Sequence, residues 1–186
     1  MTYSNMMNAA ALAALLALGG CGDEAAKESA PKTEAAKEAA GDSTIAAGLG
    51  DATKFAAAAK STGLEGTLAG PGPYTVLVPD DAAFEKLPAG ALDTLMKDEA
   101  KSELTGVLTY HILPGAILTS DIAKAINAGK GKTTLPTMGG GTLTATREGE
   151  AIVISDGAGT KAKIVGADEK KSNGVVQRID AVLMPS

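Results

Sequence analysis

The residues best suited to chemistry in this 186-residue chain are a single histidine, His111, and two adjacent carboxylates, Asp80 and Asp81. A histidine can act as a general base near neutral pH, and paired carboxylates can divide acid and base roles between them. A hydrolytic triad would have to use His111, and no G-x-S-x-G nucleophile elbow occurs in the sequence. Adjacent aspartates at the start of a helix more often cap it and complement its dipole. We therefore expect no catalytic residues and no enzymatic activity.

His111 follows Tyr110, and with the two aspartates these residues form the candidate partner-binding set: Asp80, Asp81, Tyr110 and His111. In the functional interpretation, the imidazole is a pH-sensitive contact on a binding surface. In the structural interpretation, Tyr110 fills core space and a ring nitrogen of His111 binds a backbone carbonyl or a carboxylate. The sequence leaves both interpretations open, because they differ in whether the pair faces solvent or the core.

Composition argues against most metal, cofactor and nucleic-acid chemistry. One cysteine and one histidine cannot supply a cysteine-based zinc site or a histidine cluster, and no D-x-D-x-D-G calcium loop occurs. The triplet Gly139-Gly140-Gly141 lacks the lysine and the spacing of a phosphate loop, so we interpret it as a flexible turn. With 17 basic and 22 acidic residues the net charge is −5, which disfavours nucleic acid as a partner. We expect no metal and no cofactor.

The first twenty residues have the features of an export signal. Residues 9–18 are all apolar, which is the length of a signal-peptide core and too short to span a bilayer. Residues 18–21 (LGGC) resemble a bacterial lipobox, in which the cysteine receives a diacylglycerol and becomes the first mature residue. The alternative is an ordinary secretory signal with an incidental cysteine, and residues 1–8 lack the usual lysine or arginine. We predict a signal peptide over 1–20 and lipidation of Cys21.

Residues 22–42 differ from the rest of the chain in composition. They contain no Leu, Ile, Val or aromatic residue, so they cannot bury a core. The tetrapeptide AAKE occurs at 25–28 and again at 35–38, as in low-complexity segments. We therefore predict a lipidated cysteine and an Ala/Glu/Lys tether over 21–42, followed by one folded domain over 43–186.

The first half of the predicted domain is mainly helical, apart from a short apolar strand at 74–78. The first candidate helix carries Phe55, with Asp51 as its cap and Gly63 at its end, and a short second one carrying Phe84 follows Asp80 or Asp81. Apolar residues then recur at helical spacing from Leu92 to Leu108. The last candidate helix begins after Thr119 or Ser120 as cap and ends near Gly129. The second half is rich in strand signals, at 142–146, 151–154, 161–165 and 175–184. Helices followed by antiparallel strands indicate an α+β fold.

Three stretches resemble the signature blocks of fasciclin (FAS1) domains. Residues 74–84 (YTVLVPDDAAF) are similar to the first block, which usually reads T-V-F-A-P-T-D-x-A-F. Residues 108–115 (LTYHILPG) are similar to the central Tyr-His segment, and residues 173–185 (NGVVQRIDAVLMP) to the second block, N-G-V-I-H-x-I-D-x-V-L-x-P. All three occur in family order, and the resemblance covers about residues 43–185, nearly the whole predicted domain. Asp80 stands where threonine is usual, and Gln177 where histidine is common.

The resemblance implies a compact β-sandwich or wedge with several helices packed along one side. It also implies a secreted or surface-anchored adhesion and interaction module, and not an enzyme. In animal members of the family, the region around the Tyr-His segment and the adjacent aspartates has been linked to receptor binding.

These expectations together describe a monomeric, lipid-anchored protein of a bacterial envelope. It would be held at the membrane through Cys21 and would bind an unidentified surface protein or polysaccharide. Gly22 differs from the aspartate that retains some Gram-negative lipoproteins at the inner membrane, so we expect the outer membrane or periplasm, or the cell surface. The alternative function is a carrier of an apolar small molecule, such as a carotenoid or lipid, in a groove between helices and sheet.

Overall fold

The computed structural model describes residues 41–185; the predicted signal peptide, Cys21 and nearly all of the predicted tether lie outside this range. Its α-helices are α1 (Thr53–Thr62), α2 (Leu64–Ala69), α3 (Asp81–Glu85), α4 (Ala91–Leu95), α5 (Lys101–Tyr110) and α6 (Thr119–Ala128). Its strands are β1 (Tyr74–Pro79), β2 (Ile112–Pro114), β3 (Lys132–Pro136), β4 (Thr142–Glu148), β5 (Ala151–Ser155), β6 (Lys161–Lys171) and β7 (Gly174–Ile179). Two 3₁₀ helices cover Ala46–Leu49 and Asp98–Ala100.

The strands of the described range form one sheet in the order β2-β1-β7-β6-β5-β4-β3. All neighbours are antiparallel except β1 and β7, which run parallel and pair from Tyr74 with Gly174 onward. Just after β3, the Met138 N–H donates to the Ile112 carbonyl of β2 at 2.8 Å. This bond joins the first and last strands of the sheet, so the sheet is nearly closed.

A layer of helices packs on one face of β1 and β7. Val76, Val78 and Val176 form a core there with Phe55 of α1 and Leu104 of α5. Each such side chain contributes roughly 1.5–3 kcal/mol when it is fully buried. The helices α1 to α5 are therefore held on the sheet mainly by apolar burial.

Helix α1 confirms its predicted end and corrects its predicted start. Gly63 is left-handed, with φ of 79°, and its N–H donates to the Lys60 carbonyl at 3.1 Å. The expected cap by Asp51 is wrong, because Ala52 occupies the N-cap position and offers no side-chain acceptor. The acceptor comes instead from another helix, at the candidate site.

The other face of the sheet encloses a second core. Leu77, Leu143 and Ile154 pack there against Ile122 and Ile126 of α6. Because the sheet curls around this core, α6 lies on the inner side and α1 to α5 lie on the outer side, over β1 and β7. The outer side of β3 to β6 belongs to neither core.

Helix α6 ends at Gly129 as predicted but starts differently. The expected cap by Thr119 or Ser120 is wrong, because the N-cap position is Leu118. Asp121, three residues on, accepts the Leu118 N–H at 3.4 Å. Thr119 is thereby free to bond elsewhere, and it does so across the domain.

The strand predictions hold for β1, β4, β5 and the first part of β6, and they miss β2, β3 and the parallel pairing of β1 with β7. The predicted strand over 175–184 is too long, since β7 ends at Ile179. Beyond that point the backbone N–H groups of Leu183 and Met184 donate to side chains instead of to a neighbouring strand. An apolar run such as AVLM can therefore be buried without being part of the sheet.

Candidate functional site

The two adjacent aspartates cap different helices. Asp80 is the N-cap of α3, and its Oδ1 accepts the Ala83 N–H at 2.6 Å, as predicted. Asp81 reaches the start of α1, where it accepts the Thr53 hydroxyl at 2.6 Å and the Lys54 N–H at 3.0 Å. These hydrogen bonds, first from Thr53 and then from Lys54, lower the pKa of Asp81. The pair therefore stabilises helix ends and is not arranged to share a proton.

His111 lies in the core just after α5, with 1% of its surface exposed. The Leu183 N–H donates to Nε2 at 3.1 Å, so in the neutral ring Nδ1 carries the proton and donates to the Val107 carbonyl at 2.8 Å. Burial lowers the pKa of His111 to about 4, an effect that the Val107 carbonyl and Asp156 only partly offset. Both nitrogens are occupied and the ring is neutral at pH 7, so it is not available to a substrate.

Tyr110 is also buried, with 3% exposure, and its hydroxyl donates to the Thr142 carbonyl at 3.0 Å. Burial raises the pKa of the phenol. The expected flexible turn at 139–141 packs closely here, since the Gly139 N–H donates to the Thr109 carbonyl at 3.0 Å. A side chain at Gly141 would overlap the Tyr110 ring, which explains the glycine at that position.

Asp156 completes this region by holding the end of the chain. Its Oδ2 accepts the Met184 N–H at 3.0 Å, and its Oδ1 accepts the Thr160 N–H at 2.7 Å. We refer to Tyr110, His111 and Asp156 as the His111 cluster. Through its bonds to residues 183 and 184, the cluster fastens the C-terminal segment to α5 and to the loop after β5.

The structure thus brings Tyr110 and His111 together in the core and leaves Asp80 and Asp81 at helix starts. This placement agrees with the structural interpretation of the Tyr-His pair. A partner-binding role for Asp80, Asp81, Tyr110 and His111 stays a prediction. Because the Tyr110 and His111 rings are buried, they would contribute to binding only by supporting the surface above them. Cys21 lies outside the described residues.

A second buried polar cluster was not predicted. Thr75 on β1 and Gln177 on β7 are fully buried beneath the loop that leads from β2 to α6. The Thr75 hydroxyl donates to the Gly115 carbonyl at 2.7 Å and accepts the Ile117 N–H at 2.7 Å. The Gln177 amide Nε2 donates to the Ile117 carbonyl at 3.0 Å. The loop is therefore fastened to the sheet from two strands.

Asp168 of β6 and Thr119 of α6 extend this cluster. The Thr119 N–H donates to Asp168 Oδ2 at 2.9 Å, and the Thr119 hydroxyl binds Oδ1. Gln177 Nε2 lies 3.2 Å from the same Oδ1, whereas Gln177 Oε1 has no hydrogen-bond partner within residues 41–185. We refer to Thr75, Thr119, Asp168 and Gln177 as the Gln177 cluster. The one sequence signal for it is a glutamine within the otherwise apolar start of β7.

A surface groove of about 690 Å³ lies beside the loop that covers the Gln177 cluster. Its apolar lining comes mainly from the turn before β1, that loop and the start of β7, and its charged groups are Asp121, Lys170 and Lys171. The apolar residues are Pro71, Pro73, Ala116, Leu118 and Val175. Its volume is in the range of small-molecule sites.

The space between the helical layer and the sheet is well filled. The void there is about 10 Å³ and is lined by residues such as Phe55, Phe84 and Leu108. That volume holds no more than about one water molecule, so this void is too small for the apolar ligand that the carrier alternative places between helices and sheet. Within residues 41–185 we find no group of three or more His, Cys, Asp or Glu side chains able to hold a metal ion. No helix in the same range is long and apolar enough to cross a membrane.

Comparison with known proteins reveals similarities over most of the chain. The sequence profile of the fasciclin domain family matches residues 50–185. Protein sll1483 of Synechocystis sp. is 33% identical over 164 residues, which cover 85% of this chain and 83% of that protein. The cell surface glycolipoprotein MPB83 of Mycobacterium bovis is 35% identical over 114 residues, or 61% of this chain. The chain spans only 44% of MPB83.

A solved structure of a FAS1 domain pair from the insect cell adhesion molecule fasciclin I is also similar. The TM-score is 0.58 at 20% sequence identity, and the match covers 73% of this chain and 46% of that one. At this identity the likeness concerns the fold alone. It confirms the predicted α+β architecture of a wedge-like sheet with helices along one side.

Proposed function

The chain belongs to the fasciclin domain family, and from that membership we propose that it is a non-catalytic binding module acting at the cell surface, outside the cytoplasm. The observation that carries the proposal is the match over residues 50–185, shared with relatives named for surface roles. MPB83 is named a cell surface glycolipoprotein, and the fold neighbour comes from a cell adhesion molecule. Adhesion through a folded domain agrees with these names.

The use of the polar side chains supports a role without catalysis. In the core, His111 binds backbone groups through both ring nitrogens, and Asp156 does so through both carboxylate oxygens. At the surface, Asp80 and Asp81 cap helices. A general base must be free to reach the proton of a bound substrate, and none of these groups is free in that way.

We further propose that the domain is attached to the membrane by a lipid at Cys21. The lipobox-like residues 18–21 support this attachment, and several acyl carbons anchor stably because each buried CH₂ contributes about 0.8 kcal/mol. Residues 22–42 would then separate the domain from the membrane. Gly22 supports export beyond the inner membrane in a host that has an outer membrane.

The anchor is tested by intact-mass measurement of the full chain produced in a bacterial host. We expect the wild type to have lost residues 1–20 and to have gained the mass of a diacylglycerol and its acyl chains. Cys21→Ser should gain no lipid, whereas the control Gly20→Ala, which keeps a small residue before the cysteine, should be processed like the wild type. An unmodified Cys21 in the wild type would contradict the anchor.

Surface binding is tested separately with the labelled full chain in mild detergent and isolated cell envelopes. We expect saturable binding that is lost when the chain is unfolded by heat before mixing. Binding that rises linearly with concentration, or that survives unfolding, would contradict a binding module.

The carrier of an apolar small molecule remains a second candidate, and the surface groove of about 690 Å³ is the observation that favours it. We expect such a carrier, purified from its host, to release the molecule into organic solvent. Leu118→Glu, which places a charge in the groove, should abolish that release, and Met96→Glu at an exposed position on the helical side should not. An extract that contains no host molecule would exclude the carrier.

A further inference from the structure

The outer side of β3 to β6 presents a polar sheet face that no described helix covers. Side chains of registered partners in antiparallel strands lie on the same face. One row runs Lys132, Thr146, Val153 and Lys163, and the next runs Thr134, Thr144, Ser155 and Lys161. We refer to these eight residues as the outer sheet face.

Val153 identifies which side of the sheet this is. It is 1% exposed, yet it belongs to neither hydrophobic core. Its register partners are Thr146 and Lys163, so its side chain lies between theirs on the outer face. Long lysine stems commonly cover apolar surface in this way while their ammonium groups stay in water.

The hydroxyl groups of this face are not used within the part of the chain that the structure describes. Those of Thr134, Thr144, Thr146 and Ser155 make no hydrogen bond to any residue in the range 41–185. Threonine hydroxyls on the helices and on β1 are used differently, as Thr75 and Thr105 bind carbonyl oxygens at 2.7 Å each. The outer sheet face therefore combines unused hydroxyl donors and acceptors on a rigid scaffold.

Charge is distributed unevenly between this part of the chain and the helical part. Residues 130–163 carry five basic and three acidic side chains, whereas residues 41–129 carry six basic and eleven acidic ones. Lys161 is paired with Glu148 at 2.8 Å, and neither Lys132 nor Lys163 has an acidic partner within 4.0 Å in the described range. A flexible polyanion would be attracted to this face and repelled from the helices.

We propose that the outer sheet face binds an acidic polysaccharide, which names a partner class for the proposed surface-binding function and rests on it. The uronate carboxylates would meet Lys132 and Lys163, and the sugar hydroxyls would meet the row of Thr and Ser hydroxyls. Neutral sugars and nucleobases are usually held by stacking on aromatic rings, and the face has no aromatic residue. Carboxylates and hydroxyls are the groups that this surface complements.

The test measures binding of the full chain, in mild detergent, to polygalacturonate, with uncharged dextran as the comparison polymer. We expect saturable binding to polygalacturonate alone, weakened by added salt because the lysines are exposed. The double variant Lys132→Gln/Lys163→Gln should bind about tenfold more weakly. The control Lys60→Gln/Lys97→Gln removes two exposed charges from the helical side and should change binding less than about twofold.

Three results would overturn the proposal: equal weakening by both double variants, salt-independent binding, or equally tight binding of the wild type to phosphatidylglycerol vesicles and to polygalacturonate. The last would assign the face to anionic lipid.

Thr144→Val removes one hydroxyl with little change in shape, and we expect it to weaken polymer binding about threefold. If envelopes are bound but polygalacturonate is not, the partner class is wrong while the proposed function stands; if envelopes are not bound, the proposed function itself fails.

Discussion

The His111 cluster and the Gln177 cluster both hold irregular backbone segments in place, but they differ in how completely their polar atoms are paired. In the first, both nitrogens of His111 and both carboxylate oxygens of Asp156 have backbone partners. In the second, Gln177 donates to a carbonyl and to Asp168, while its own Oε1 has no partner in the described range. Among the residues that the structure describes, the first cluster is fully paired, and the second has one buried acceptor without a donor.

This difference indicates which change each cluster tolerates least. The His111 cluster requires a neutral imidazole, because Nε2 must accept the Leu183 N–H and burial penalises the charged ring. The Gln177 cluster requires an uncharged donor next to a carboxylate, because the amide lies 3.2 Å from Asp168 Oδ1. We therefore expect the stability contributed by the His111 cluster to depend on pH. The stability contributed by the Gln177 cluster should be lost when an acidic side chain replaces Gln177.

The largest effect is expected for Gln177→Glu in the full chain. The new carboxylate must either remain charged beside Asp168 or take up a proton, and both cost free energy in a fully buried position. We expect a loss of about 4 kcal/mol in the free energy of unfolding at pH 7, measured by urea denaturation, and a smaller loss at pH 5.

Gln177→Met is the matched control for this change. It keeps the length of the side chain, removes the donor and also removes the unpartnered Oε1, so we expect a loss of only about 1–2 kcal/mol. Equal stability of the two variants at pH 7 would show that the proximity of Asp168 is unimportant.

The next effect is the pH dependence conferred by His111. The unfolded chain takes up a proton at the ordinary pKa of 6.5, whereas the folded chain does so only at about 4. Falling pH therefore favours unfolding between these two values, and the stabilisation that is complete above pH 6.5 is lost by pH 4. The full difference corresponds to about 3 kcal/mol.

Comparing the wild type with His111→Phe isolates this contribution, since the chain has no other histidine. The variant leaves the Leu183 N–H and the Val107 carbonyl unpaired, so it should be less stable at pH 7. Its free energy of unfolding should also fall less steeply than that of the wild type between pH 6.5 and 4. Parallel pH profiles would assign the acid sensitivity to other groups.

The two clusters also show what could be predicted from the sequence. The apolar strand before Asp80, the glycine end of α1 and the turn-separated β4 and β5 follow from local patterns, and these elements are confirmed. The parallel pairing of β1 with β7 joins residues about a hundred positions apart, which no local pattern records. β3 was missed because Leu135 is its only buried residue.

The polar anchors were harder to predict because their partners are distant in sequence. The sequence offered His111 as both a surface contact and a core residue, and the fold places it in the core, bonded to the distant Leu183 N–H. Thr119 was expected to cap its own helix, yet it binds Asp168, 49 positions away. A side chain's residue type indicates what it can bond to, but the fold decides which atom is within reach.

The smallest effect concerns an anchor that is partly exposed to solvent. Asp81 accepts two hydrogen bonds from α1, as the carboxylates of the clusters accept theirs, but its bond from Thr53 is exposed. We expect Asp81→Ala to lose about 1 kcal/mol of unfolding free energy, the usual value for removing a helix cap.

Asp51→Ala is the control for this anchor, because Asp51 is the aspartate that local sequence would choose as the cap of α1, and the structure gives it no such role. We expect the free energy of unfolding of this variant, measured by urea denaturation, to differ from that of the wild type by less than about 0.5 kcal/mol. If Asp81→Ala and Asp51→Ala lose equal amounts of unfolding free energy, the stabilisation comes from negative charge near the start of α1 and not from the bonds from Thr53 and Lys54. Asp81→Ala could also lose as much unfolding free energy as Gln177→Glu. In that case a partly exposed anchor would be as costly to break as a buried one, and burial would not explain the difference between the clusters and this cap.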